Sequence, residues 1–528
     1  SGKAAGVVRG FRAVYLGLFF NCFIMGTVTL AACKIANILF GLHPWQTILI
    51  CGALNVVFAA HSGLWGVLVI DMVQFFIKMT AVVAAAFFAL KEVARRTGVG
   101  ESAYAGLRKL VEILGSQQVN YKEGAQPVLS AINGHGQPVL DLLPNFSMHE
   151  LALMIFILPI AVSWWANWYP GAEPGGGSYI AQRMLASKSE KDSLGGTLFF
   201  NLAHYVVRPW PWIITALCSI IIFPTLSDIK AAFPNADPNL IGHDSAFPAM
   251  LKFLPAGFVG LMVGGLIAAN SSTILTHLNW GSSYLVHDFY RRFIAGDKKE
   301  RHYVNVGRFC TVGLYVLAAL LSVNLRSAQD AFEVLLSIGA GTGLLYLLRW
   351  FWWRINAWCE VVAMVSSFVI SVIFFVLKMR GHALPFAETI LYEVGFTTVC
   401  WVIAAFVTAP TERGQLIAFY KKVHPAGPGW ARIRREAGVS ASEAALHGDN
   451  MRLETLGWIS GCAVIWSALF AIGNYLYGRM SLATILTGVF IVSGSVLLYV
   501  INHLWSGVDK TPTQPPLHAP TETLPKLT

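Results

Sequence analysis

Charge is scarce in this chain. Of 528 residues, 12% are Asp, Glu, Lys or Arg and 55% are hydrophobic, where soluble domains average about 25% charged residues. That deficit excludes a soluble globular protein. Paired cysteines are lacking too: the eight Cys stand apart, with no Cys-x-x-Cys spacing and no histidine placed to share a metal. Zinc and dithiol redox motifs are therefore excluded, and the cysteines read as small buried hydrophobes. Neither a Ser-His-Asp set nor paired carboxylates can be assembled, so no enzyme and no organic cofactor are expected. A formal charge of +10 can mean nucleic acid, but no basic patch with interleaved aromatics occurs. The Lys and Arg lie in short stretches between apolar runs, which is a topology signal. A secretory leader pattern is also missing, and the first residue is Ser1. The sequence is read as an internal piece of a longer protein.

What is present is about twelve apolar segments of roughly bilayer length. They run approximately 11–38, 46–61, 64–90, 149–169, 194–224, 252–286, 305–325, 331–351, 357–378, 388–408, 454–477 and 482–503. With the N-terminus inside and strict alternation, inside segments carry about 22 Lys and Arg against roughly 6 outside. Both ends of the chain are then cytoplasmic. Residues 91–148 form an outside loop with an amphipathic helix expected over Glu101–Leu114. Residues 410–453 form an inside loop broken at 425–429. Residues 504–528 read as a disordered tail.

Polar groups inside apolar segments are costly and mark function by default. Ala269, Ser272, Thr273 and Thr276 share one helical face at i, i+3, i+4 and i+7. Their oxygens can replace water around a desolvated cation. Equally, they can be small-residue helix packing with hydroxyls bonded back to carbonyls. Asp71, Gln74 and Lys78 line another face, as an internal ion pair or as an ion path. Asn201, His204 and Arg208 form a third stripe, and Pro209 and Pro211 follow it. A mid-membrane Arg beside freed carbonyls reads as a cavity lining for an anionic or hydroxylated solute, or as an Arg held by neighbouring carbonyls. The run from Trp164 to Gly177, with Trp165 and Trp168, reads as an interfacial belt or as a broken helix contacting substrate. Gly341, within Gly339-Ala340-Gly341-Thr342-Gly343, is a second flexible point. No strand precedes it, so a nucleotide site is excluded. His61, His277 and His503 read as structural.

Several strings resemble the sodium:solute symporter family. They are Ser62-Gly63-Leu64-Trp65 through Asp71-Met72-Val73-Gln74, Tyr179-Ile180-Ala181-Gln182-Arg183 with Ala186-Ser187-Lys188-Ser189, Ala268-Ala269-Asn270-Ser271-Ser272-Thr273, and His277 through Tyr284. The string Arg349 to Trp358 is similar to an uncharacterised bacterial subgroup. The resemblance covers most of residues 8–505.

The resemblance implies an all-α polytopic membrane protein with a leucine-transporter-like core of two inverted five-helix halves. Residues 1–90 would supply core helices three to five, 91–148 the extracellular loop, and 149–351 core helices six to ten. Residues 352–409 and 454–503 would be peripheral helices, flanking the 410–453 cytoplasmic loop. Core helices one and two would be absent from this chain, making it the C-terminal four-fifths of a symporter. A sodium site is implied at the Ala269 carbonyl and the Ser272 and Thr273 hydroxyls, with Asp71 on the inward sodium path. Tyr179 and, by a loose local match, Asn21 would face the substrate cavity, joining Trp165, Trp168, His204, Arg208 and Gly341. The function expected is sodium-coupled uptake of a small organic solute across the bacterial inner membrane. Na+ would be the coupling ion, and the partners a small organic solute, sodium and the lipid bilayer, with no nucleic acid. A proton-coupled or ion-independent transporter, or a membrane solute sensor, is the alternative.

Overall fold

The computed structural model describes residues 3–59, 64–120, 128–163, 184, 186–325, 339, 341–382, 384–425, 427–440 and 451–508. Helix dominates because backbone groups in a bilayer must satisfy one another within the segment. Nine helices among the described residues are long and apolar enough to cross a membrane. They coincide with expected segments, mostly extended by a few residues.

The first span joins α1 (Lys3–Val14), a π-helical turn (Tyr15–Phe20) and α2 (Asn21–Phe40). Gly41 ends it in the left-handed conformation, φ 67°, which glycine adopts without Cβ strain. The shorter α3 (Pro44–Ala59) and the long α4 (Leu64–Arg96) follow. Beyond α4, the loop expected at 91–148 holds α5 (Ala103–Gly115), close to the helix anticipated there. It also holds an antiparallel sheet of β1 (Gln117–Asn120), β2 (Val128–Ala131) and β3 (Gln137–Pro138), ordered β2-β1-β3. No alternating apolar pattern announced that sheet. It is organised by a polar side chain, the fully buried Gln118. Its amide donates to Asn120 and Asn133, and its oxygen accepts the backbone N–H of Asn133 and Gly136.

The helix α6 (His149–Ala152) leads into π turns ending at Ser163. The next span comprises α7 (Glu190–Asn201), a π turn (Leu202–Val207) and α8 (Pro209–Ile222). Short helices α9 (Leu226–Ala232) and α10 (Ala246–Met250) connect it to α11 (Ala256–Ser283). That helix continues as π turns (Tyr284–Ile294) and is followed by α12 (Glu300–Asn324). Residues 341–348 are helical. The remaining spans form two hairpins, α13 (Ala357–Met379) with α14 (Phe386–Val407), and, after α15 (Arg413–Val423) and α16 (Ala431–Glu436), α17 (Met451–Leu476) with α18 (Met480–Val508).

The segment read as a plain loop at 410–453 is folded over its described part. Trp430 Nε1 donates to the Trp350 carbonyl at 2.8 Å, and Leu416, Tyr420 and Ile433 are buried with it. The tryptophan-rich string before α13 gives this segment an apolar seat. Of residues 504–528, expected as a disordered tail, 504–508 instead continue α18, and 509–528 lie outside the described residues.

Lipid is as apolar as Leu, so spans associate through close approach of small residues. A Cβ on Gly281 would lie 2.5 Å from the Gly17 carbonyl oxygen, and one on Gly26 would lie 3.2 Å from that of Ala318. These contacts seat α2 against α11 and α12, where Cys22, Met25, Ile274, Leu278 and Leu314 form a buried cluster.

Candidate functional site

Pro255, extended at ψ 149°, starts α11, and proline at a helix start costs no hydrogen bond. Two faces result. Asn270, Ser271, Ile274, His277, Leu278 and Gly281 are buried, several of them against α2. Ala269, Ser272, Thr273 and Thr276 lie on the opposite face and are half-buried. Thr273 donates its hydroxyl to the Ala269 carbonyl at 3.0 Å, and Thr276 donates to that of Ser272 at 2.8 Å. The two readings of this stripe therefore do not exclude each other. A hydroxyl that gives its only proton backwards turns its lone pairs outward, and lone pairs are what a cation takes. The Ala269 carbonyl, by contrast, already accepts Thr273 in addition to its helical partner.

The partner across this face is α4, and the two helices run antiparallel. Phe88 meets Phe258, ring centroids 5.7 Å apart, and a Cβ on Gly265 would lie 3.1 Å from Lys78 Cγ. Continuing that register along both helices brings Gln74 level with Ala269 and Asp71 level with Ser272. Asp71, Gln74, Lys78, Ala81, Val82 and Ala85 share one face at 3.6-residue spacing, and the last three pack with Met262 and Leu254. Gln74 is buried, and among the described residues its Oε1 has no hydrogen-bond partner. An orphaned buried acceptor is costly and calls for an explanation such as an ion or water. Spacing alone had placed Gln74 beside Asp71. That its stripe opposes the hydroxyl stripe needed the helix pairing. The side chain of Asp71 lies outside the described part of α4.

Arg208 and His204 stand at mid-span beside the π turn. Arg208 donates to His204 Nδ1 at 2.9 Å, and the His204 ring stacks on Phe200, 5.2 Å between centroids. Leu202 and Val206, on the other side of this turn, line a cleft with Ala468 and Ala471 of α17. Val207 joins them, and Arg208 itself is exposed.

Two residues expected to face the cavity, Asn21 and Gly341, are buried between helices. Asn21 is fully buried in the α2–α11 seam, with Oδ1 at 2.6 Å from His277 Nδ1 and Nδ2 donating to the Gly17 carbonyl. Each end of its carboxamide is thus hydrogen-bonded within the seam. Gly341 is buried against α13 and α14, where a Cβ would lie 2.5 Å from Ser367 Oγ and 2.9 Å from Thr397 Oγ1. Close approach of helices is reason enough for glycine there. Trp165, Trp168 and Tyr179 lie outside the described residues.

Outside this region, an unanticipated polar tie holds the α8–α11 connection. Lys34 Nζ is buried and contacts both carboxylate oxygens of Asp244, at 2.7 and 2.9 Å. Asn37 Oδ1 also accepts the Asp237 backbone N–H at 2.9 Å.

The chain is 25% identical over 384 residues to a sodium/glucose cotransporter of Vibrio parahaemolyticus, covering 71% of this chain and 64% of that protein. It is 24% identical to the osmoregulated proline transporter OpuE of Bacillus subtilis, covering 46% of this chain and 45% of that protein. It is 26% identical to a sodium/sialic acid symporter of Aliivibrio fischeri, covering 38% of this chain and 40% of that protein. The chain thus spans less than two thirds of these relatives' length. A solved Na+-coupled sialic acid symporter in a substrate-bound outward-open state aligns with TM-score 0.49 and 18% identity, over 77% of this chain and 76% of that one. The model of the sodium:solute symporter family matches residues 7–367, two thirds of the chain, and the protein belongs to that family.

Proposed function

We propose that this protein is a multi-pass transporter that couples sodium entry to uptake of a small organic solute by alternating access. The observation that carries this reading is the α4–α11 interface. Hydroxyls there turn lone pairs outward along one stripe, opposite a buried and orphaned Gln74 oxygen. Sodium would be held by Ser272, Thr273 and the Ala269 carbonyl, with Gln74 and Asp71 on the α4 side. Solute would be held beside Arg208 and His204, with Trp165, Trp168 and Tyr179 as further contacts. Residues 1–90 and 149–351 would form the core, with the later hairpins peripheral. The membrane would be a bacterial inner membrane with both ends of this chain in the cytoplasm, an orientation that the Lys and Arg counts support.

Sodium drives the cycle only if it binds one conformation better than the other, which shifts the population toward that state. The test is uptake at varied sodium and fixed pH in cells producing the protein. Saturable dependence on sodium, with no effect of replacing sodium by choline at constant ionic strength other than loss of uptake, supports the reading. Uptake that follows pH at zero sodium refutes it in favour of proton coupling.

A further inference from the structure

We propose that the transported solute carries a carboxylate, that Arg208 receives it, and that His204 is the positioning residue that aims the guanidinium. The proposal rests on the transport reading and adds the chemical class of the solute. Arg208 lies near the middle of the Glu190–Ile222 span. A guanidinium at that depth needs an anion or a wet cavity. Among the described residues it enters no ion pair, and its one partner is the His204 ring. Arginine has no acceptor atom, so His204 Nδ1 must be the acceptor in this contact. The imidazole is therefore neutral, and no described residue cancels the positive charge of Arg208.

Geometry adds to the charge. The His204 ring is fixed by stacking on Phe200 at 15° and by an edge contact with Tyr205, centroids 4.7 Å apart. One guanidinium nitrogen is thereby pinned and the rest of the fork points onward, matching a carboxylate bidentately. The backbone is opened at the same level. The Arg208 N–H bonds to the Ala203 carbonyl five residues back, and Pro209 and Pro211 supply no N–H. A neutral polyol could use those carbonyls, but it would leave the charge of Arg208 uncompensated, so the carboxylate is favoured.

The experiment is a thermal-shift titration of the purified protein, in sodium and in choline, against matched pairs: gluconate and glucose, lactate and lactamide, N-acetylglycine and N-acetylglycinamide. At least one acid should stabilise at a concentration about tenfold or more below its neutral partner. Arg208→Gln should bring that ratio to about one, and Arg208→Lys should keep the preference with weaker binding. His204→Phe keeps the ring stack but lacks the acceptor; it should shrink the ratio several-fold, and His204→Gln should restore part of it. Equal response to acids and neutral partners, a preference that survives Arg208→Gln, or no response to any acid would overturn the proposal. Sodium-dependent uptake of a neutral sugar would sink this inference and leave the transport reading standing. Acid preference without any sodium dependence would do the reverse.

Discussion

Asn21 and His277 meet at 2.6 Å in a seam sealed from solvent, and the same asparagine donates to the Gly17 carbonyl one turn before it. A polar pair this deep is a helix-registry device, since each group costs free energy if its partner is removed. Gly281 sits beside it, where a Cβ would lie 2.6 Å from Asn21 Nδ2. Asn21→Leu should lower stability by about 1–3 kcal/mol, the cost of a buried polar group deprived of its partner. Replacing both residues with Leu should recover part of that loss. Thermal denaturation in detergent reads the effect. A full-stability Asn21→Leu variant with weakened solute binding would instead return Asn21 to the cavity.

The hydroxyl stripe predicts a different phenotype. Thr273→Val keeps the side-chain shape and removes both the lone pairs and the bond to the Ala269 carbonyl. With Ser272→Ala in the same protein, half-saturating sodium should rise about tenfold or more, equivalent to about 1.4 kcal/mol or above. Thr273→Ser should stay near the parent. Gln74→Leu should act in the same direction without loss of folding, because it replaces an orphaned acceptor by carbon. Sodium titrations of uptake that superimpose for parent and variants would remove these oxygens from the ion site.

The boundaries of the nine long helices were legible because a bilayer imposes length and composition directly, and the expected 454–477 segment lies within α17, Met451–Leu476, but for its final residue. The hydroxyl stripe was legible because residues at i, i+3, i+4 and i+7 must share a face. Its opposing wall was not, since nothing in the sequence pairs Gly265 with Lys78. Asn21 illustrates the limit from the other side. A polar residue in an apolar run signals cost, and spacing cannot tell whether a ligand or a distant histidine offsets it. The β1–β3 sheet escaped because Gln118 builds it with polar side chains, outside the apolar alternation by which strands are read.

The Lys34–Asp244 tie joins α2 to the short segment before α11. Lys34 is nearly inaccessible, with a side-chain exposure of 6%, while Asp244 is a third exposed at 34%. Removing Asp244 leaves a buried ammonium without this partner, which is the expensive half of breaking such a pair. Asp244→Asn should therefore cost more than Lys34→Met, and solvent access to Asp244 limits both to about 1–3 kcal/mol. Limited proteolysis between residues 226 and 253 should speed up in both single variants. If the Lys34→Met, Asp244→Leu double variant is cut as fast as Asp244→Asn alone, the bond is not what holds this segment.

Acid should loosen the same outer segment through a second group. The Thr225 backbone N–H and hydroxyl both donate to Asp228 Oδ2, at 2.8 and 2.7 Å, closing a capping box at the start of α9. Those bonds, the hydroxyl's first, hold the Asp228 carboxyl below its ordinary value. An unfolded aspartate titrates near about 3.9. A folded value below that means the contribution is complete above the unfolded value and is lost as pH falls through the folded one. Hydrogen exchange of the α9 amides, corrected for the intrinsic pH dependence, should stay constant from pH 7 to about 5. It should then accelerate as pH drops below the ordinary aspartate range. Thr225→Val removes the hydroxyl and should move the onset of that acceleration upward in pH. An onset that does not move would show that the helix start is held by its packing alone.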